Sequence, residues 1–482
     1  MRRGLMLLAA ALTLGGCGAG TTPSPPEPRV VSIVQDDAEL LHRSPEQIAA
    51  TLDDLRDLGV DWVRVTAGWS VIAPDPAART MPAFEATDPE AYPDRAWEAL
   101  DRVARETEAR GMRLNIDVAF WAPRWAVARP GGRATTERDG IDAAKLADFA
   151  EAVARRYPQA AAFTVWNEPN HNAFLLPQWE RRNGGWVPAS PHAYRRMLEA
   201  VVPRLKAAAP DALVLIGATS SVGSAVGEDR SERMSPLTFT RELACVDEQL
   251  RPLGRPECAD FRPLPGDGFS HHPYALDLPP WAHDPRPETA RIGDLDRMTR
   301  LLAQLHQRGR TEHDLPLYLT EFGYQTNPPD PTWDVTLEDQ ARWLPEAERI
   351  ARGFPSARGT AQFTVRDLPE RPGPDLRTRW RDYQAGLRFE DGRAKPAHAA
   401  YAMSLTARRE LDGVRFWGLV RSGEGERPAR VSVLQPDGSW RVLFDLTTRE
   451  DGTFERTAAV DPAATFRLES DGAAGPPLAG AR

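Results

Sequence analysis

Two glutamates carry the first chemical signal. Glu168 stands in "TVWNEPN" and Glu321 in "LYLTEFGY", each behind a short apolar run of strand character. Two carboxyls over one pocket can cleave a glycosidic bond: one protonates the leaving oxygen, the other attacks or activates water. Their surroundings must then set their pKa values apart. Burial raises a carboxyl pKa and neighbouring donors lower it. Arg64 in "VRV" and Tyr274 in "HHPY", on reaching Glu321, would make it the ionised partner. Glu168 has no cation beside it in sequence and suits the proton donor. Arg64 also has a plainer reading, an ion pair with Asp117 on the neighbouring strand, and Tyr274 could be only a loop anchor. Asn-Glu-Pro alone is a weak signal; its weight comes from its place at a strand end, matched by a second strand-end Glu.

The elements that must position these residues alternate along the chain. Strands are expected at 30–34, 61–66, 113–120, 161–167, 212–217, 267–272, 316–323 and 359–365, the sixth being weak by itself. Helical patterns lie between them. Ser44-Pro45-Glu46-Gln47 is a capping box with proline at the first helical position, and Gly59 closes that helix. Further helices are expected near 94–111, 141–156, 191–208, 236–251, 288–309, 336–352 and 395–408. Eight such units predict an α/β fold, a (β/α)₈ TIM barrel over 30–409, with reacting groups at the C-terminal ends of the strands. The rival, a doubly wound sheet, would show a glycine-rich phosphate turn after its first strand, where "QDDAELL" stands instead. Beyond about 410, period-two alternation with "PDG" and "EDG" turns predicts a small β-sandwich-like module over 410–471, with "FWGLVR" as its first strand. Residues 472–482 read as a disordered tail.

With strands four and seven facing each other across the mouth, "WNEPN" and "LTEFGY" resemble the clan A glycoside hydrolases, nearest to families 5 and 39. The resemblance covers about residues 30–405 and implies a retaining glycosidase. It puts the acid/base on Glu168, a sugar-binding amide on Asn167 and the nucleophile on Glu321. It puts the clan's strand-two Arg on Arg64 and its His-x-Tyr on His272 and Tyr274. "GLRFEDGRAKPAHAAY" resembles the clan's end-of-barrel segment. One departure stands out: the clan usually places a Trp near the end of strand eight, and "AQFTVRD" has none, leaving Phe363 or Trp380 for that task. Trp69, Trp121 and Trp125 follow strands two and three and could stack on sugars or only pack loops. The clan needs no metal or other cofactor, and His271-His272 lacks a third ligand at useful spacing, so none is expected. A non-catalytic glycan binder on a retired barrel, or a transglycosylase, are the alternatives.

The rest of the sequence bounds partners and location. The net charge of −9 comes without any strongly basic block, which argues against nucleic acid as a partner. Arg2 and Arg3, the apolar run to Leu14, and Gly15-Gly16-Cys17 read as a secretory signal (1–17) whose end resembles a bacterial lipobox, with Cys17 as the lipidated residue. Residues 18–29 read as a flexible tether. Lipid attachment would be the chain's one contact with a membrane, and it places the protein outside the cytoplasm, at the bacterial cell surface or secreted. There Cys245 and Cys258 are expected to pair, pinning an excursion after strand five. A carbohydrate substrate and a monomer are expected. "HNAFLLPQW", "NPPDPTW" and the 224–265 excursion are expected to overhang the mouth.

Overall fold

The computed structural model describes residues 29–131, 136–225 and 233–482. The signal, the lipobox Cys17 and all of the tether but its last residue lie outside them. Eight parallel strands close into a barrel: β1 (Val31–Gln35), β2 (Trp62–Gly68), β3 (Arg113–Ala119), β4 (Ala162–Val165), β5 (Leu213–Ser220), β6 (Gly268–His272), β7 (Leu317–Leu319) and β8 (Ala357–Phe363). β1 pairs with both β2 and β8, and that pairing closes the ring. The main helices around it are α1 (Pro45–Asp57), α2 (Asp94–Glu108), α3 (Ala143–Arg156), α4 (Ser190–Ala208), α5 (Pro236–Leu243), α6 (Leu295–Gln307), α7 (Leu337–Arg352) and α8 (Pro396–Ala402). The capping box is present: Ser44 Oγ accepts from Gln47 N, and Gln47 reaches back to Ser44 N. Among the described residues no helix is long and apolar enough to cross a membrane.

Side chains fill the barrel in layers, and the layers explain where polar residues can stand. Ile33, Trp62, Ala162, Leu215 and Tyr318 form an apolar floor, with Trp62 stacked on Tyr318 at 6.0 Å. Gly268 and Gly359 make room for the Tyr318 ring; a Cβ on either would lie 2.8 or 2.9 Å from it. Above the floor the inward positions turn polar: Arg64 on β2, Asn115 and Asp117 on β3, Thr164 on β4, Ser270 and His272 on β6, all buried. A large apolar shell between strands and helices supplies the bulk of the core.

The C-terminal module begins earlier than the sequence pattern suggests. The helix expected to run to 408 stops at Ala402, and β9 (Met403–Glu410) follows at once, paired antiparallel with β10 (Gly413–Val420). Met403, Leu405 and Ala407 alternate inward, and this period of two overrides the helical reading. β13 (Thr453–Ala458) completes that sheet. β11 (Pro428–Leu434), β12 (Trp440–Thr447) and β14 (Thr465–Ser470) form the second, and Phe416, Phe444 and Phe466 meet between the two. The tail is ordered, against expectation. Short strands at 473–474 and 478–479 pair with β14, and the Arg482 guanidinium lies 4.4 Å from the centre of the Trp281 ring on the barrel.

Candidate active site

Neither glutamate lies on its strand; both sit in the turns that follow. β4 ends at Val165, and Trp166 (φ 64°) and Glu168 (φ 35°) take left-handed backbone conformations. Such conformations are costly for non-glycine residues and persist only when their surroundings fix them. Here Trp166 is buried and its indole donates to Phe174 O at 3.1 Å. Glu168 N bonds Ala218 O at 2.9 Å. Asn170 completes the lock: its amide donates to Ser220 O and Met234 O, and its Oδ1 accepts from Ser220 N. The turn therefore swings Asn167 and Glu168 over the mouth. Glu321 lies two residues past β7, and the flanking Phe322 O accepts from Phe363 N at 2.8 Å.

The two carboxylates converge. One oxygen of Glu168, one of Glu321 and a ring nitrogen of His272 all lie within 4.8 Å of one another. Both oxygens of Glu321 are engaged: Arg64 Nη1 donates to Oε1 at 2.7 Å and the Tyr274 hydroxyl to Oε2 at 3.0 Å. Arg64 also reaches Asn167 Oδ1 at 3.3 Å, Asp117 Oδ2 at 3.0 Å and Gln35 Oε1. The same guanidinium thus pairs with both Asp117 and Glu321. Burial, reinforced by the charge of Glu321, drives the Tyr274 hydroxyl well above its ordinary value, so it stays a donor.

Glu168 departs from the expectation that no cation attends it. His272 Nδ1 lies 3.1 Å from Glu168 Oε1 and 3.5 Å from Glu321 Oε2. The far ring nitrogen of His272 is fixed by Thr320 Oγ1 at 3.0 Å. Burial pushes the Glu168 carboxyl up, but the hydrogen bond and charge of His272, then the charges of His171 and Arg233, outweigh it and hold it below the ordinary glutamate range. His272 and Arg233 come from other segments, so the local sequence around Glu168 could not show them; His171, three residues on, is the local partner. His271, next to His272, is spent inside the barrel wall, bonded to Thr219 Oγ1 and Ala290 O. Burial depresses its pKa to about 4, so it is neutral. Glu168, His272 and Glu321 span a cation-sized gap, but Arg64 and Tyr274 already occupy the Glu321 oxygens.

The aromatic expectations divide. Trp69 is a core residue: it is fully buried against Phe149 and Trp125, at 5.8 and 5.9 Å, and presents no face to a ligand. Trp121 is half-buried, its indole bonded to Ala173 O at 2.8 Å. At the end of β8, Phe363 packs edge-on to Tyr274 (6.2 Å) and to Tyr383 (5.0 Å). Tyr383, 47% exposed, went unnoticed in the sequence. Much of the residue is exposed, but burial around its hydroxyl and the charges of Glu168 and Glu321 push that hydroxyl's pKa up. Gln35, Asp117 and Thr320 were also missed as site residues, although applying the strand-end rule to β1, β3 and β7 would have marked them. Cys245 and Cys258 form the expected disulfide. It sits in an excursion that an Arg182–Glu257 ion pair ties to the hairpin Trp179–Arg182/Gly185–Pro188.

Comparison with known proteins gives a family and a fold. The family model described as cellulase (glycosyl hydrolase family 5) matches residues 36–352. A family 39 glycoside hydrolase from the gut symbiont Bacteroides cellulosilyticus WH2 superposes with a TM-score of 0.54 at 14% identity, over 89% of this chain and 81% of that one. GH5_18 from Streptomyces cattleya, solved in complex with GlcNAc, gives a TM-score of 0.48 at 17% identity, over 78% and 79%. No curated protein sequence matches the chain.

Proposed function

Since the chain belongs to glycosyl hydrolase family 5, we propose that Glu321 is the nucleophile and Glu168 the general acid/base of this retaining glycosidase. The observation that carries the assignment is the convergence of the two carboxylates, one oxygen of each lying within 4.8 Å of the other at the mouth. Retention needs a spacing of roughly 5–5.5 Å, whereas inversion needs several ångströms more to admit a water.

In the first step a Glu321 oxygen attacks the anomeric carbon. The glycosidic C–O bond breaks, its electron pair goes to the departing oxygen, and that oxygen takes a proton from Glu168. His272 Nδ1, 3.1 Å from Glu168 Oε1, stands within hydrogen-bonding reach of the carboxyl that passes the proton. In the second step Glu168 takes a proton from water, whose oxygen attacks the same carbon and frees Glu321. Arg64 and Tyr274 fix the attacking carboxylate. The Asn167 carbonyl is turned to Arg64, which leaves its amide to donate to the sugar's 2-hydroxyl. Trp121 serves as a sugar-contacting wall. The substrate is an oligo- or polysaccharide. Keeping both carboxylates with Arg64, Asn167 and Tyr274 in register supports catalysis over a binding role on a retired barrel. We place the enzyme, a monomer, outside the cytoplasm, anchored through a lipid on Cys17; the Cys245–Cys258 disulfide supports an oxidising compartment.

The experiment is Glu321→Ala on a panel of chromogenic glycosides and oligosaccharides. Hydrolysis should fall by at least about 10⁴-fold, and azide should restore turnover with an inverted glycosyl azide as product. Wild-type rates from that variant would overturn the assignment.

A further inference from the structure

Arg64 lies, fully buried, between two carboxylates: Glu321 at 2.7 Å and Asp117 at 3.0 Å. A third, Asp37, follows β1 and adds to the same field. One guanidinium thus faces three acids. Among the described residues the remaining neighbours of Asp117 supply no second cation: Gln35 on β1, Thr66 and Thr164 opposite Asp117 on β2 and β4, Asn115 on β3, Asn167 after β4, and the Tyr194 hydroxyl on α4, committed to Val165 O at 2.7 Å. His272 borders the cluster on the other side of Glu321, 3.5 Å from its Oε2, where it serves a fourth carboxylate, Glu168, at 3.1 Å. Three carboxylates ionised around one cation at this depth would be severely penalised, so the cluster must retain a proton.

The hydrogen bonds show where. Glu321 accepts from Arg64 and Tyr274, and Asp37 accepts from Thr66 N at 3.0 Å. Among the described residues none donates a well-aligned hydrogen bond to either Asp117 oxygen. Burial pushes the Asp117 carboxyl up, to about 8, with Arg64 opposing and Glu321 and Asp37 reinforcing.

We propose that Asp117 is a charge counterweight to Glu321, keeping a proton while Glu321 is a carboxylate and releasing it to solvent when Glu321 is esterified by sugar. The inference rests on Glu321 being the nucleophile. Attack converts the Glu321 anion into a neutral ester and would leave Arg64 a buried cation with one partner fewer. Ionisation of Asp117 restores the pairing by loss of one proton from its carboxyl to water. Hydrolysis of the ester returns the charge to Glu321, and Asp117 recovers a proton from solvent. Asp117 does not touch the reacting atoms; it is a positioning residue acting through Arg64.

Glu321→Gln mimics the neutral ester at nearly constant volume and needs no substrate. With carbon-13 at the aspartate carboxyls, the Asp117 resonance, identified by its loss in Asp117→Asn, should titrate above neutrality in the wild type. In Glu321→Gln its proton affinity should fall at least tenfold. Potentiometric difference titration of the two proteins should show the matching proton loss, and it decides the question should Asp117→Asn fail to fold. An Asp117 midpoint equal in both proteins, or movement of Asp37 alone, overturns the counterweight and leaves the nucleophile assignment standing. Wild-type turnover by Glu321→Ala overturns the nucleophile and leaves the titration result intact. On the best aryl glycoside of the panel, Asp117→Asn should lower kcat about tenfold with KM little changed; an unchanged kcat also counts against the proposal.

Discussion

Arg64 and Glu321, 257 positions apart in the chain, meet at 2.7 Å inside the barrel. The fork of the guanidinium lets one side chain hold the carboxylate, Asp117 and Asn167 at once. A lysine would keep the charge but reach only part of this set. Arg64→Lys should therefore fold and lose about 10²-fold or more in kcat/KM, with kcat taking most of the loss. Steady-state kinetics with a thermal melt on the same sample checks this. A melt lowered far more than the activity would shift the weight of Arg64 from catalysis to folding.

His272 sets the charge state of Glu168. Its removal in His272→Leu leaves burial as the leading influence, and the Glu168 titration should move up by about one pH unit or more. The wild-type carboxyl lies below the ordinary glutamate range. Its ionised form therefore adds stability that is present above pH ~4.3 and is lost as pH falls through the depressed value. The variant should lose that contribution and fall about 10²-fold in kcat/KM. Carbon-13 titration of glutamate carboxyls and the pH profile of kcat/KM report the two effects; an unmoved Glu168 resonance would refute the role.

The C-terminal module is clamped to the barrel by a buried ion pair. Glu348 on α7 meets Arg421, which follows β10, and Arg352 at 3.0 Å; Arg421 also lies 3.9 Å from the Tyr401 ring centre. Burial pushes the Glu348 carboxyl up, but the charges of Arg421 and Arg352 prevail and hold it at about 2. Against an ordinary glutamate this corresponds to roughly 3 kcal/mol. That stability is present above pH ~4.3 and is lost as pH drops towards 2. Arg421→Met leaves the Glu348 charge with Arg352 as its one remaining partner and should destabilise the protein by about 1–3 kcal/mol at pH 7, less than the loss of every partner would. The double variant Glu348→Gln/Arg421→Met should recover much of it. Denaturant unfolding at pH 7 and pH 4 measures both.

The sequence made the barrel legible because eight apolar runs alternate with helical patterns, and a strand-end rule then points at Glu168 and Glu321. It misplaced what depends on contacts between distant segments. Trp69 reads as a cleft residue from its position after β2, but α3 brings Phe149 over it and seals it in the core. The module's start was missed because "AAYAMSLTAR" is compatible with a helix until β10 arrives to pair with it. Glu168 reads as free of cations because His272 comes from β6. The tail reads as disordered from its glycines, prolines and alanines, yet Leu478 is buried on the module.

The Trp62–Tyr318 stack, seated in the gap that Gly268 and Gly359 leave, shuts the far end of the barrel. A glycan therefore cannot thread through the enzyme. Substrate must arrive and product must depart on the side of the barrel that carries the two carboxylates. Lengthening or trimming the loops that follow the strands on that side should alter turnover and selectivity together.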